Sequence, residues 1–254
     1  MTTQQKIAVV TGAASGIGLA VASRLVRDGQ QVFMADVQSA AAQADRLNQD
    51  AAEAGGSAHA VAVDITDPDQ ITALFETVAA RHGRLDTLVN VAGISRRGKL
   101  DALDIADIDA LLAVNLRGTI LCSRAALPLL RLGRGSIVNV ASELALIGAP
   151  GLQVYCASKG GVMQLTRAMA IDHAGEGIRV NCICPGATLT PMLQESIDSA
   201  PDPAARLRVL DQTTLLGRVG RPEEIANVIC FVASDEASFM TGAIVTVDGG
   251  ATAA

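Results

Sequence analysis

Residues 6–18 have the sequence KIAVVTGAASGIG, a short apolar run followed at once by a glycine-rich turn. The β-branched run at 6–11 is typical of a central strand that is buried on both faces. Gly12, Gly16 and Gly18 come next, and the residues after them have helical periodicity. This order favours a phosphate-binding turn, in which N–H groups of the helix N-terminus contact a pyrophosphate. Alone, the motif is equally compatible with a plain glycine-rich turn.

A carboxylate follows the second predicted strand. Asp36 comes directly after residues 31–35 and lies 18 positions beyond Gly18. At the end of such a strand, a carboxylate can accept hydrogen bonds from both hydroxyls of an adenosine ribose, and it repels a 2′-phosphate. The nearby residues provide no arginine or lysine to offset that repulsion: Ala13, Ala14, Ser15 and Val37. The sequence therefore favours NAD over NADP, with a loop-capping aspartate as the alternative.

Strand-like and helix-like segments alternate along the whole chain. The predicted strands are residues 6–11, 31–35, 58–63, 84–90, 135–141, 178–184 and 243–247. The predicted helices include residues 19–27, 40–54, 105–132, 155–173 and 221–233. Such alternation, without a linker or repeat, predicts one α/β domain over residues 1–254, a doubly wound parallel sheet of about seven strands with helices on both faces. A polar, proline-interrupted segment around residues 188–214 predicts a lid over a pocket.

Charge and hydropathy exclude several kinds of partner. The net charge of −6 provides no basic field for nucleic acid or for an anionic membrane surface. No apolar run approaches the ~18 residues that a membrane span needs. Residues 1–6 are polar and have no apolar core of a signal peptide. We therefore expect a small-molecule partner, no nucleic acid and no membrane.

The cysteines and histidines do not predict a metal site. Five cysteines occur without CxxC spacing, and the three histidines are scattered. Cys182 and Cys184 are assigned to opposite faces of a predicted strand, where they could not share a metal. All five are expected to be small core residues of a protein in a reducing, cytoplasmic compartment.

Tyr155 is the only tyrosine in the chain, and Lys159 follows it at helical spacing. Residues four apart lie on one helix face, so the ammonium can favour the phenolate and lower the phenol's pKa toward neutrality. We accordingly predict that Tyr155 titrates below an ordinary tyrosine. A packing tyrosine beside a surface lysine is the alternative. Ser142 ends a predicted strand thirteen residues earlier, and Asn115 is an amide on an apolar helix, either a structural bridge or a site residue.

Taken together, these residues resemble the short-chain dehydrogenase/reductase family over nearly the whole chain. Its glycine motif TGxxxGxG matches residues 11–18, and its NNAG motif matches residues 90–93 with Val91 in the second place. Further matches are the tetrad Asn115, Ser142, Tyr155 and Lys159, the pair Pro185-Gly186 with Thr190, and the terminal Val247-Asp248-Gly249-Gly250.

The resemblance implies a Rossmann-type oxidoreductase that uses NAD and assembles as a homotetramer or homodimer. Tyr155 would exchange a proton with the substrate oxygen, and Lys159 would lower the phenol's pKa and hold the nicotinamide ribose. Ser142 would orient the same oxygen, and Asn115 would anchor a water that relays protons toward Lys159. The residues expected at the cofactor are Gly12, Ser15, Gly16, Ile17, Gly18, Asp36, Val37, Asp64, Ile65, Asn90, Ala92, Gly93, Tyr155, Lys159, Pro185, Gly186, Thr188 and Thr190.

Substrate identity is left open. The resemblance favours interconversion of a secondary alcohol and a ketone, with a small hydroxy acid, a sugar-derived acid or a cyclic alcohol as substrate. The basic cluster Arg96, Arg97 and Lys99 is either a solvated loop or a clamp on an acidic substrate. A 3-oxoacyl thioester reductase is the second enzyme hypothesis, although such enzymes usually use NADPH, which Asp36 disfavours. A non-catalytic nucleotide sensor or a methyltransferase would not need the complete tetrad.

Overall fold

The computed structural model describes residues 5–51 and 55–253, which form a seven-stranded parallel sheet between helices. The strand order is β3-β2-β1-β4-β5-β6-β7. The strands are β1 (Ile7–Thr11), β2 (Gln31–Asp36), β3 (Ser57–Ala62), β4 (Thr87–Asn90), β5 (Ser136–Val140), β6 (Arg179–Pro185) and β7 (Ile244–Val247). The predicted fold class is confirmed. Because the order reverses between β1 and β4, a crevice opens at the carboxyl ends of these strands.

Helices cover both faces of this sheet. They are α1 (Gly16–Arg27), α2 (Ala41–Asp50), α3 (Pro68–His82), α4 (Ile105–Leu112), α5 (Thr119–Gly133), α6 (Gln153–His173), α7 (Pro191–Asp198), α8 (Pro203–Gln212) and α9 (Pro222–Ala233). Alternate residues of β1 point to opposite layers. Ala8 and Val10 belong to a core formed with α1 and α9, whereas Ile7 and Val9 belong to a core formed with α3 and α5.

The predicted strand boundaries differ most at β4, which begins at Thr87 rather than at residue 84. The main chain of Asp86 still bonds to Ile7 and Ser136. Side chains add to these bonds, because Arg84 donates to the Gln5 carbonyl and pairs with Asp86. Asp86 in turn accepts a hydrogen bond from the Ile7 N–H at 2.8 Å.

The predicted helix 40–54 is observed as α2. Its last residues, 52–54, lie outside the described ranges, as do residues 1–4 of the N-terminus.

The prediction of one helix over residues 105–132 is wrong. A π-helical segment, Ala113–Gly118, separates α4 from α5. Asn115 lies in this segment, where its carbonyl accepts a hydrogen bond from the Thr119 hydroxyl at 3.0 Å. Wider π turns occur mostly as single bulges, frequently at functional sites. Apolar periodicity does not distinguish such a turn from the α-helix around it.

Two short helices occupy the segment around residues 188–214. Each begins with a proline at its first position and a side-chain cap before it: Thr190 accepts from the Leu193 N–H, and Asp202 from the Ala205 N–H. Proline has the φ angle that a first helical residue requires, so these starts are well specified. The polar, proline-interrupted sequence predicted only a lid here, and α7 and α8 were missed.

The assignment of Cys182 and Cys184 to opposite faces is wrong, because residues two apart on a strand share a face. Both belong to one small buried cluster, together with Ala141 and Val162. Within the described ranges, no group of three or more His, Cys, Asp or Glu residues could hold a metal ion. Nor is any helix of that part of the chain long and apolar enough to cross a membrane.

Arg179 stabilises the C-terminal end of α9. Its guanidinium donates to the carbonyls of Val232, Ala233, Ser234 and Met240 at 2.9–3.2 Å. Carbonyls at a helix C-terminus have no intrahelical partner, so a cation there satisfies several of them at once.

We predict that Arg179→Met lowers the free energy of unfolding by about 2 kcal/mol, since hydrogen bonds to charged groups contribute about 1.5–3 kcal/mol. Urea denaturation followed by circular dichroism measures this change. Arg208→Met is the matched control, because Arg208 is exposed on α8, and its effect should stay within about 0.5 kcal/mol. Equal midpoints for the two variants would contradict the role given to Arg179.

Candidate active site

A cleft of about 1400 Å³ lies at the carboxyl ends of the strands. It collects residues that are far apart in the sequence, because the ends of parallel strands meet at one edge of the sheet. Its lining includes the sequence-predicted residues Gly12, Ser15, Gly16, Ile17, Gly18, Asp36, Val37, Asp64, Ile65, Ala92, Gly93, Ser142, Tyr155, Lys159, Pro185, Gly186, Thr188 and Thr190. Of the predicted site residues, Asn90 and Asn115 are not in the lining.

The glycine turn brings main chain to the surface of the cleft. Gly12 has a φ of 69°, and a Cβ atom there would lie 2.8 Å from the Cα of Ala92. A Cβ on Gly18 would overlap the Gly12 carbonyl. Ser15 precedes α1 without capping it through its side chain, so its hydroxyl does not bond the first N–H groups of the helix. This cradle fits an anionic group such as a pyrophosphate.

Asp36 is held beside the glycine turn by two main-chain donors. Its Oδ2 accepts from the Ala14 N–H and its Oδ1 from the Gln38 N–H, both at 2.9 Å. Each carboxylate oxygen can accept a further bond, so a pair of ribose hydroxyls fits this carboxylate. Val37, beside it, is 72% exposed. No arginine or lysine occurs in residues 12–18 or 36–38.

Asp64 lies at the cleft but also closes its own loop. Its Oδ1 accepts from the main-chain N–H and from the hydroxyl of Thr66, both at 2.8 Å. Ile65 lines the cleft with a largely buried side chain. Asp64 therefore caps its own loop and also lies at the cleft surface.

The side chain of Asn90 points away from the cleft. It donates to the Ser123 hydroxyl at 3.0 Å and to Asn139 Oδ1 at 2.9 Å, and Asn139 donates to the Thr166 hydroxyl. All four residues are buried. Most polar groups in a core pair in this way, although the Oδ1 of Asn90 has no partner among the described residues. Asn90 thus joins β4 to β5 and α5, and the loop after it brings Ala92 and Gly93 to the cleft.

Asn115 is a fully buried bridge between two segments of the site. Its amide donates to the Ile94 carbonyl at 2.9 Å and to the Ser158 hydroxyl at 3.2 Å, while Oδ1 accepts from the Ile94 N–H at 2.8 Å. Ser158 donates onward to the Tyr155 carbonyl at 2.7 Å. The bridge fixes the loop after β4 against α6. Ser158 was missed, because one serine in a helix carries no signal of its own.

The ammonium of Lys159 faces the ring of Tyr155. The ammonium donates to the Val140 carbonyl at 2.9 Å and lies 5.9 Å from the centre of the tyrosine ring. Lys159 is 4% exposed, and burial lowers its pKa to about 8. A buried ammonium loses hydration, which favours the neutral amine.

The prediction that Tyr155 titrates below an ordinary tyrosine is wrong for the chain alone. Part of the side chain is open to the cleft, and burial of the residue raises the pKa of Tyr155 to about 12. A hydrogen bond with Ser142 opposes the rise without cancelling it. Lys159 loses its charge near pH 8, before the phenol ionises, and so provides no cation at that stage.

Three further charged side chains in the lining were not placed by the sequence. Glu143 follows Ser142, and burial together with the charge of Asp248 raises the pKa of its carboxyl to about 7. Arg206 lines the cleft from α8. Partial burial of Arg97, together with the positive charge of Arg206, lowers the pKa of the Arg97 guanidinium. Glu195 lines the cleft from α7. Arg96 also lines the cleft and pairs with Asp107, whereas Lys99 is absent from the lining.

The geometry agrees with what comparison with known proteins shows. A family model described as enoyl-(acyl carrier protein) reductase matches residues 12–252. The chain is 40% identical to 2-(S)-hydroxypropyl-CoM dehydrogenase 3 of Xanthobacter autotrophicus, over 98% of both chains. It is 38% identical to a 3-oxoacyl-[acyl-carrier-protein] reductase of Thermotoga maritima, over 98% of this chain and 99% of that one. The aldohexose dehydrogenase of Thermoplasma acidophilum has a similar structure, with a TM-score of 0.89 at 31% identity, covering 99% and 95% of the two chains.

We predict that the phenol of Tyr155 ionises at a higher pH in the folded chain than the ~10 of an unfolded one. The folded state keeps a proton that the unfolded state loses, so this residue's contribution to stability falls as the pH rises from about 10 to 12. Near-ultraviolet absorbance measures the titration directly, because the chain has one tyrosine and no tryptophan. Tyr155→Phe gives the baseline. Identical curves for folded chain and chain unfolded in guanidinium would refute the prediction.

Proposed function

The chain belongs to the short-chain dehydrogenase/reductase family, and on that premise we propose that it interconverts a secondary alcohol and a ketone with NAD(H). The observation that carries the proposal is the meeting of Ser142, Tyr155 and Lys159 in the same cleft as the glycine turn and Asp36. One end of this cleft fits a dinucleotide, and the other carries a phenol within reach of a serine hydroxyl.

Tyr155 is the proposed general acid and base. Its hydroxyl gives a proton to the substrate oxygen in reduction and takes one in oxidation, with Ser142 bonded to the phenol and positioned to hold the same oxygen. A bound nicotinamide supplies the carbon that accepts or gives the hydride. The glycine turn would hold its pyrophosphate and Asp36 the adenosine ribose.

A proton path from Tyr155 toward Asn115 is part of the proposal. If residue 93 carried a Cβ atom, that atom would lie 3.2 Å from Asn115 Oδ1 and 3.4 Å from Lys159 Nζ. The amide and the amine therefore both approach the same glycine, which has no side chain to fill the space beside them. With a pKa of about 8, Lys159 can both hold and release a proton near neutral pH.

We place the substrate among small hydroxy acids, sugar-derived acids and cyclic alcohols. Arg97 and Arg206 line the cleft and are suited to an acidic group. The Thermotoga relative supports the alternative, a 3-oxoacyl thioester reductase. Asp36 disfavours it, because such enzymes usually use NADPH. A nucleotide sensor without catalysis is disfavoured by the presence of all four tetrad residues. A cytoplasmic homotetramer or homodimer completes the proposal.

We predict that Tyr155→Phe lowers kcat/KM for alcohol oxidation by ~10²- to 10⁴-fold, the usual contribution of general acid–base catalysis. NADH affinity should change little, because the ring is retained. Absorbance of NADH formed from a panel of hydroxy acids, sugar acids and cyclic alcohols measures the rates. Cys156→Ala, next in the chain, is the control for local disturbance of α6. Wild type and Tyr155→Phe that are equally inert would sink the enzymatic proposal.

Asp36 should make the protein prefer NADH over NADPH by ~10-fold or more in binding, since a carboxylate repels the 2′-phosphate. Asp36→Ala should reduce this ratio, even though loss of the acceptor for the Ala14 N–H weakens both affinities. Fluorescence of the bound reduced dinucleotide measures both constants. Asp45→Ala, an exposed aspartate on α2, is the control. Tighter binding of NADPH by the wild type would overturn the cofactor proposal.

A further inference from the structure

We propose that Glu143 binds a second, uncharged oxygen group of the substrate, on the carbon next to the one that reacts, so that the preferred substrates are vicinal diols and the matching hydroxyketones. This inference rests on the proposed function, because it assigns a substrate class to the same cleft. It stands on the position of the carboxyl beside Ser142 and on an oxygen that has no partner in the described chain.

The main chain holds Glu143 in a fixed place. Ser142 accepts a hydrogen bond from the Leu144 N–H at 3.2 Å and begins a short 3₁₀ turn, Glu143–Ala145. The Glu143 carbonyl accepts from the N–H groups of Leu146 and Ile147 at 2.9 and 3.2 Å. The residue next to the serine that bonds Tyr155 is therefore anchored through its backbone, and its side chain lines the cleft.

The carboxyl of Glu143 is incompletely satisfied. Its Oε2 is buried, and no donor of the described residues lies within hydrogen-bond distance. Nearby Asp248 does have donors: the N–H of Gly250 and both the N–H and the hydroxyl of Thr252, at 2.6–3.0 Å. An unpaired buried oxygen is costly, and such exceptions call for a specific explanation. A substrate hydroxyl in the cleft would supply the missing donor.

The position of Glu143 indicates which substrate oxygen it meets. Glu143 directly follows Ser142 in the chain, and its side chain lines the same cleft as Tyr155. A substrate whose reacting oxygen is at Tyr155 and Ser142 thus has its neighbouring carbon near Glu143. A hydroxyl there donates to the carboxylate, and a carbonyl there accepts from the protonated acid. With a pKa of about 7, both forms are present at neutral pH.

The charges around Glu143 disfavour a carboxylate at this position. Asp248 already raises the pKa of Glu143, and a third anion would add to the repulsion. The cations of the lining that remain for an acidic group are Arg97 and Arg206, carried by the loop after β4 and by α8. The unpaired Oε2 of Glu143 and the nearby charge of Asp248 both favour an uncharged hydroxyl on the carbon next to the reacting carbon.

The test compares matched alcohols with NAD⁺ in two series: cyclohexanol, its vicinal diol and the hydroxy acid of the same ring, and the corresponding butanol, butanediol and hydroxybutanoate. We expect wild type to favour each diol over its mono-alcohol by ~10-fold or more in kcat/KM, since a charge-assisted hydrogen bond is at stake. Glu143→Leu should reduce this preference to within ~3-fold, because KM for the diol rises more than KM for the mono-alcohol. Glu143→Gln, which keeps an acceptor and a donor, should restore most of it.

Other outcomes overturn the inference. The inference fails if wild type and Glu143→Leu prefer the diols equally. It also fails if Glu195→Leu loses the diol preference as much as Glu143→Leu does, since the Glu195 carboxyl lines the same cleft from an exposed position. Faster oxidation of the hydroxy acid than of the diol would also contradict it. If the mono-alcohols are oxidised without a diol preference, only the inference fails. If wild type oxidises nothing in either series, the proposed function fails and the inference falls with it.

Discussion

The parallel direction of all seven strands is the constraint on which the site depends. Thr11 lies opposite Asn90, and Asn90 opposite Asn139, so three strands end at nearly the same level. The Thr11 hydroxyl accepts from the N–H groups of Val91 and Ala92 and turns the next loop toward the glycine turn. Beneath that edge, the buried pair Asn90 and Asn139 fixes β4 against β5. If any of these strands ran in the opposite direction, the loop that follows it would lie at the other edge of the sheet, away from Tyr155.

Burial shifts the pKa values of the tyrosine and the lysine in opposite directions. It raises the pKa of Tyr155 to about 12 and lowers that of Lys159 to about 8, so each side chain is pushed toward its neutral form. Spacing along the helix puts the two on one face, where the ammonium lies 5.9 Å from the centre of the ring and donates to the Val140 carbonyl at 2.9 Å. The chain alone therefore does not create the lowered phenol pKa that general base catalysis at neutral pH needs. A positive charge from outside the chain would act on the phenol where Lys159 does not.

The sequence predicted those features that depend on local pattern. Strands such as Ile7–Thr11 are continuous apolar runs because helices bury them on both faces, and the glycines of the turn leave no room for side chains. It could not predict the π-helical turn at Asn115, since apolar periodicity tolerates one extra residue per turn. Nor could it orient Asn90, whose partners come from β5 and α5, or find Glu143, whose importance lies in the donor that it lacks. The prediction of a lowered pKa for Tyr155 failed for the same reason, because burial is a property of the assembled site.

Asp36 shows that cofactor choice and local structure are not separate properties here. The two bonds that its carboxylate accepts come from Ala14 in the glycine turn and from Gln38 in the loop after β2. The same two oxygens are the proposed acceptors for the ribose hydroxyls. Replacing the carboxylate to admit a 2′-phosphate therefore also frees an N–H of the turn that cradles the pyrophosphate. A cation placed at Val37 would meet the phosphate without disturbing the turn, because that side chain is mostly exposed. The route to a changed cofactor thus runs through position 37 before position 36.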